Sequence, residues 1–117
     1  MEIRAAVVAL SALAHEGRLS TFRMLVQAGQ EGINAGEIAR RLDTPANTLS
    51  SSLNILSNAG LIEGRRNGRS IIYTARYANM TELLEFLMHD CCGGHPEICA
   101  SLADIVLRSH CELEGNA

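Results

Sequence analysis

The strongest constraint on the fold lies mid-chain, where the turn Asp43-Thr44-Pro45 opens an apolar repeat that Ala59-Gly60 closes. The spacing predicts a helix over 45–58, with Thr44 as N-cap and Pro45 at the first helical position, where a missing N–H costs nothing. At 100° per residue, Leu49, Leu53 and Leu56 fall within about 60° of one another and form its buried stripe. Opposite stand Asn47, Ser51, Asn54 and Asn58, flanked by Thr48 and Ser50. This outer face is polar without carrying a charge, whereas a merely solvated helix more often carries Glu and Lys, which are better helix formers. Short hydroxyls and amides suit close approach to phosphates and base edges in a major groove. Asn47, Thr48, Ser50, Ser51 and Asn54 are therefore candidate nucleic-acid contacts.

The flanking segments place that helix in a recognisable order. Residues 5–13 read as a first helix, and 18–28 as a second, with Leu19, Phe22, Leu25 and Val26 on one face. Gly29 to Gly32 closes the second, glycine being the usual helix terminator. A short helix over 37–42 follows, with Ile38 and Leu42 four apart. The helix over 45–58 is thus the second of a pair joined by a three-residue turn, a helix-turn-helix arrangement. Residues 61–75 read as a hairpin turning at Asn67-Gly68, with Ile71, Ile72 and Tyr73 as strand formers on the return. Arg65, Arg66 and Arg69 surround its tip, where they can reach phosphate or a minor groove.

Beyond the hairpin, Asn79 is the predicted N-cap of a further helix, with Glu82 three residues on. Met80, Leu83, Leu84, Leu87, Met88 and Cys91 give it an apolar stripe suited to a core or a partner helix. Gly93-Gly94 breaks it, and Pro96 opens another whose Ile98, Leu102, Ile105 and Val106 share a face. The expectation is a mostly α chain with a small β-hairpin, a domain over residues 1–92 for DNA binding and dimerisation, and a C-terminal extension over 93–117.

Net charge argues against nucleic acid until it is located. The 117 residues carry 10 basic side chains, all arginine, against 13 acids, a net charge of −3. Residues 1–76 hold nine Arg and six acids, a balance of +3, while residues 77–117 hold one Arg and seven acids, a balance of −6. The front of the chain is therefore basic, and arginine forks bind phosphate and guanine edges bidentately. With two Phe, two Tyr and no Trp, the core is modest and dimerisation would help it. No apolar run approaches the roughly 18 residues of a membrane span. Ala12-Leu13-Ala14 mimics a signal-peptidase site, but the apolar stretch before it is short. Glu2 offsets Arg4, and Ala9, Leu10 and Leu13 recur at helical spacing. The reading is a cytoplasmic chain whose thiols stay reduced and available as ligands.

All four cysteines, Cys91, Cys92, Cys99 and Cys111, lie in the acidic part. Cys91 and Cys92 end one predicted helix and Cys99 falls in the first turn of the next, where the helix dipole favours thiolate. The Gly-Gly turn lets these ends approach, so three thiols from nine residues can converge. Soft thiolates select thiophilic ions, and trivalent arsenic or antimony takes three sulfurs in a pyramid. His95 could instead complete a Cys/His tetrahedron around zinc. Cys92 and Cys99 could oxidise reversibly, or the cysteines could be inert core thiols. Cys111 reads as a bystander, and His15, His89 and His110 as ordinary histidines. A thiol enzyme would need a nucleophile beside a base or a Cys-x-x-Cys pair, and neither spacing occurs.

Taken in order, these residues resemble the ArsR/SmtB family of winged-helix metalloregulatory repressors. The matching pieces are Ala12-Leu13-Ala14-His15 through Arg18, and Gly36-Glu37-Ile38-Ala39 with Leu42. They continue through Leu49-Ser50, Leu53, Leu56, Ala59-Gly60-Leu61-Ile62, and Gly68-Arg69 to Tyr73. The resemblance spans about residues 5–90. It implies a homodimer joined by the first and fifth helices, with Asn47, Thr48, Ser50 and Ser51 on the DNA-reading helix. Two departures stand out. Ser51 and Ser52 occupy positions where the family often has Arg-His, and Ala39 and Arg41 stand where some members carry a paired-cysteine metal box. Asp90-Cys91-Cys92-Gly93-Gly94-His95-Pro96-Glu97-Ile98-Cys99 instead looks like the C-terminal triple-cysteine site of arsenite-responsive members. The resemblance implies a dimeric repressor on palindromic operator DNA, released when arsenite or antimonite joins Cys91, Cys92 and Cys99.

Overall fold

In a computed structural model of the chain, residues 1–88 are described. The elements run α1 (Ile3–Leu13), α2 (Glu16–Ala28), a 3-10 turn (Gly29–Glu31), β1 (Ile33–Asn34), α3 (Ala35–Leu42), α4 (Ala46–Asn58), β2 (Ile62–Asn67), β3 (Ser70–Ala75) and α5 (Tyr77–Met88). Met1–Leu83 forms one compact unit; the remainder, from Leu84, is a second, of which only the end of α5 is described. The expected boundary at 92/93 lies outside the described residues. No helix among them is long and apolar enough to cross a membrane.

Helices α2, α3 and α4 pack on one another and on a three-stranded antiparallel sheet ordered β1-β3-β2. Leu25, Ile38 and Leu56 are fully buried where they meet, and Leu61 and Ile62 continue that core into the hairpin. The predicted stripe of α4 is the observed one: Leu49, Leu53 and Leu56 are its buried residues. In α2 the buried face is Thr21, Phe22 and Leu25, while Leu19, expected among them, is 43% exposed. Leu19 lies about 120° around the helix from Leu25, and Thr21 turns inward instead, its hydroxyl donating to the Gly17 carbonyl at 2.8 Å.

Several boundaries differ from the sequence expectation, each for a local reason. Helix α2 starts at Glu16 because His15 caps it, Nδ1 accepting from the N–H groups of Gly17 (3.2 Å) and Arg18 (3.4 Å). Arg18 then reaches back over the break, Nε donating to the Ala12 carbonyl at 2.6 Å and Nη2 to that of Ser11 at 3.3 Å, which satisfies the open end of α1. Thr44 does not cap α4. Its hydroxyl donates to the Leu42 carbonyl, Pro45 itself holds the N-cap position with ψ 145°, and α4 begins at Ala46. The hairpin turns one residue later than expected, at Gly68-Arg69, with Asn67 still paired to Ser70. Gly68 has φ +65° and Arg69 does not share the left-handed region, so glycine alone supplies the positive φ, as in a type II′ turn. Asn79 is not the cap of α5, which starts at Tyr77. Its side chain instead donates to the Gly60 carbonyl at 2.6 Å, tying α5 to the end of α4.

The sequence pattern does not predict strand β1. It pairs Ile33 with Tyr73 and Asn34 with Ile72, placing the start of α3 against the middle of β3. Gly32 makes this approach possible, since a Cβ there would stand 2.5 Å from the Tyr73 carbonyl oxygen.

Candidate nucleic-acid interface

The outer face of α4 is open to solvent as the sequence pattern requires: Asn47, Thr48, Ser50, Ser51 and Asn54 are all exposed. No charged side chain occurs between Ala46 and Asn58. Asn47 Oδ1 accepts from the Thr48 N–H at 3.0 Å, within the first turn. The five fall on two flanks. Ser50 and Asn54 face a cleft toward the hairpin, while Asn47, Thr48 and Ser51 lie outside it.

That cleft, of about 520 Å³, lies between α4, the start of α3 and the hairpin. Its apolar floor includes Leu53, Ile71 and Tyr73, and its polar rim brings Asn34, Ser50 and Asn54 together with Arg69. Ser50, Asn54 and Arg69 are candidates from separate parts of the sequence, and the fold unites them. Asn34 and Tyr73 are not among those candidates. The pattern Asn34-x-x-Glu37 is a readable helix start, and Asn34 Oδ1 does accept from the Glu37 N–H at 2.8 Å. Nothing local marks Tyr73 as a cleft residue. Its ring lies across β2 because Gly64 opposite has no side chain; a Cβ there would stand 2.9 Å from Ile71 Cγ2 and 3.0 Å from the Tyr73 ring.

The three arginines of the hairpin are not equivalent. Arg66 pairs with Ile71, so it projects from the sheet face that carries Ile71 and Tyr73. Arg65 pairs with Ile72 on the opposite face and donates from Nη2 to the Glu31 carbonyl at 3.4 Å, fastening the hairpin to the 3-10 turn. Arg66 and Arg69 are exposed and form no hydrogen bond or ion pair among the described residues.

A second basic group stands on α3. Glu37 receives Arg40 through both carboxylate oxygens, Arg40 Nε lying 2.9 Å from Oε2, and Arg41 Nε lies 2.9 Å from Oε1. Hydrogen bonds from Arg40 and then Arg41 hold the Glu37 carboxyl down at about 2, well below the ordinary carboxylate range.

Cys91, Cys92, Cys99 and Cys111, with His95, lie outside the described residues. Among those described, no three His, Cys, Asp or Glu side chains are grouped to hold a metal.

A helix pair with an uncharged, hydrogen-bonding second helix beside an arginine-tipped hairpin defines a winged helix-turn-helix protein, a DNA-binding class. Comparison with known proteins agrees. A helix-turn-helix domain model matches residues 13–65. The chain is 36% identical to the biofilm growth-associated repressor of Agrobacterium fabrum, covering 74% of each chain. It is 32% identical to the transcriptional activator HlyU of Vibrio cholerae, covering 70% of this chain and 73% of HlyU. A solved structure of reduced HlyU superposes with a TM-score of 0.61 at 30% identity, over 76% of this chain and 90% of that one. An ArsR-like regulator from Rhodococcus sp. RHA1 shares the fold with a TM-score of 0.70 at 24% identity, over 87% and 92% of the two chains. The chain belongs to the family of winged helix-turn-helix transcription regulators that includes the biofilm growth-associated repressor and HlyU. These two relatives are a repressor and a transcriptional activator.

Proposed function

We propose that the protein is a homodimeric repressor that leaves its operator when arsenite or antimonite is bound by the thiolates of Cys91, Cys92 and Cys99. The observation that carries this reading is the occurrence of three cysteines within nine residues, just after a helix that is tied to α4. Three thiolates and no obligatory fourth ligand suit a trivalent, thiophilic ion with a lone pair. Binding there changes operator affinity only through differential binding to the DNA-competent and released forms, typically about 1–3 kcal/mol per site.

The dimer is supported by α1. Its inward face is small, Ala6, Ala9 and Ala12, and its larger residues turn outward, with Ile3 72% and Val7 55% exposed. An apolar face of that kind on a first helix suits a second copy of the chain. One protein of the same fold, from Mycobacterium bovis at 24% identity, is described as homodimeric. Repression is the sense of regulation named for the Agrobacterium relative and activation that named for HlyU. A reporter driven from the protein's own operator decides the sign.

The test of the effector is an operator mobility-shift titration with arsenite, antimonite, zinc and peroxide. Cys92→Ser should leave operator binding intact and abolish release by arsenite; normal release by that variant would sink the assignment. A second reading, a thiol-redox switch in the same fold, is favoured by the relative whose structure is specified as reduced HlyU. It predicts release by peroxide and reversal by dithiol. Release by zinc with dependence on His95 would mark a zinc sensor.

A further inference from the structure

We propose that α3 carries a second DNA-backbone contact, in which the guanidinium groups of Arg40 and Arg41 pass from the Glu37 carboxylate to a backbone phosphate when duplex DNA is bound. The proposal rests on the DNA-binding reading of the cleft and adds a contact outside the α4 and hairpin residues.

Two observations place Arg40 beside that surface, and a third shows both arginines accessible. Arg41, about 140° around α3 from Gly36, joins Arg40 through the shared Glu37. Gly36 lines the cleft beside Ser50, Asn54 and Arg69. Arg40 follows Gly36 by four residues, so it stands one turn along on the same face of α3. The cleft is thus bordered by Arg69 on the hairpin and approached by Arg40 from α3. Both α3 arginines are accessible, with 72% of the Arg40 side chain and 50% of the Arg41 side chain exposed, while the Glu37 side chain is only 28% exposed.

The chemistry of the cluster favours exchange. Arg40 presents its planar fork to both oxygens of Glu37, the same two-point geometry by which guanidinium binds phosphate. One carboxylate serves two arginines, so the group carries a net charge of +1 without DNA. Glu37 is fixed in place as well, since its own N–H is held by Asn34 Oδ1. The carboxylate therefore keeps two flexible side chains ordered and competes with a phosphate for them. An exposed ion pair of this kind adds little stability, which makes its partners inexpensive to redirect.

Binding of the full chain to a mixed-sequence DNA duplex, measured by fluorescence anisotropy as salt is raised, tests the exchange without knowledge of the operator. Arg40→Gln should lower the salt slope by about 0.9 per protomer, about 1.8 for the dimer, so that a fourfold rise in salt costs it about 12-fold less affinity than it costs the unaltered protein. Arg40→Lys should keep the slope, because the charge remains. Glu37→Gln should tighten binding several-fold, and that gain should vanish when Arg40→Gln and Arg41→Gln are added. A gain that persists without the arginines would reduce Glu37 to a simple repulsive charge and overturn the proposal. So would an unchanged slope in the Arg40→Gln/Arg41→Gln protein, provided its thermal unfolding matches the unaltered chain. Failure of the unaltered protein to bind any duplex would overturn the DNA-binding reading itself, and the exchange with it.

Discussion

The two sides of the cleft are made of different chemistry. Helix α4 offers amides and hydroxyls and not one charge from Ala46 to Asn58. The hairpin instead lines the cleft with Arg69 and carries Arg66 nearby on the same sheet face as Ile71, both side chains without a partner among the described residues. Neutral short side chains discriminate by the geometry of donors and acceptors, and contribute little to attraction at a distance. Arginines attract any phosphate and discriminate poorly. On the proposed DNA-binding reading, this division would give sequence reading to α4 and sequence-independent hold to the hairpin. Arg65 stands on the far face of the sheet, where its Nη2 donates to the Glu31 carbonyl.

The largest expected effect removes the ground both sides share. Leu56 is fully buried beneath α4, in the core that continues into the hairpin through Leu61 and Ile62. Leu56→Ala should cost about 2–5 kcal/mol of stability, from lost apolar burial and the cavity left behind. Denaturant titration would show it, and operator and random-duplex binding should fall together at temperatures near the new midpoint. Loss of one kind of binding with the other intact would mean that the two sides are supported separately.

Next in size is the crossed test of the division. Asn54→Ala should lose about 1–3 kcal/mol on the operator, while its affinity for random duplex and its salt slope stay the same. Arg69→Gln should weaken both duplexes alike and lower the slope by about 0.9 per protomer, about 1.8 for the dimer. If Asn54→Ala changed the slope, or Arg69→Gln changed the preference among sequences, the assignment of reading and holding would be reversed.

What the sequence revealed of this surface follows from how local each signal is. The stripe Leu49, Leu53, Leu56 is a property of one helix, and so was legible, as was the exposure of the residues opposite it. The hairpin was legible too, but its turn moved by one residue, because Gly68 alone provides the positive φ and Asn67 remains in the ladder. Cap positions failed where a side chain had a better partner elsewhere: Thr44 bonds back to Leu42, and Asn79 bonds across to Gly60. Strand β1 is two residues long and exists only because β3 lies beside it. The cleft is likewise a product of tertiary packing, and no spacing in the sequence joins Asn34 and Tyr73 to Asn54 and Arg69. The triple-cysteine site rests on its sequence alone, since Cys91, Cys92 and Cys99 lie outside the described residues.

The smallest expected effect concerns Glu37, the acid beside this basic surface. Its carboxyl titrates at about 2 in the folded chain, against an ordinary 4.5, because Arg40 and then Arg41 donate hydrogen bonds to its charged form. A carboxyl held down by folding contributes its stability above the unfolded value and loses it as pH falls toward the folded one. The contribution is therefore complete at neutral pH and fades between about 4.5 and about 2. Because its arginine partners are exposed and the cluster lies at the surface, solvent screens the interaction and the effect on unfolding should be slight. Compared by thermal unfolding across that window, the unaltered protein should lose its small advantage over Glu37→Gln as the pH falls. A difference that stays constant throughout would show that Glu37 acts through the capped first turn of α3, where Asn34 holds its N–H, and not through its arginines.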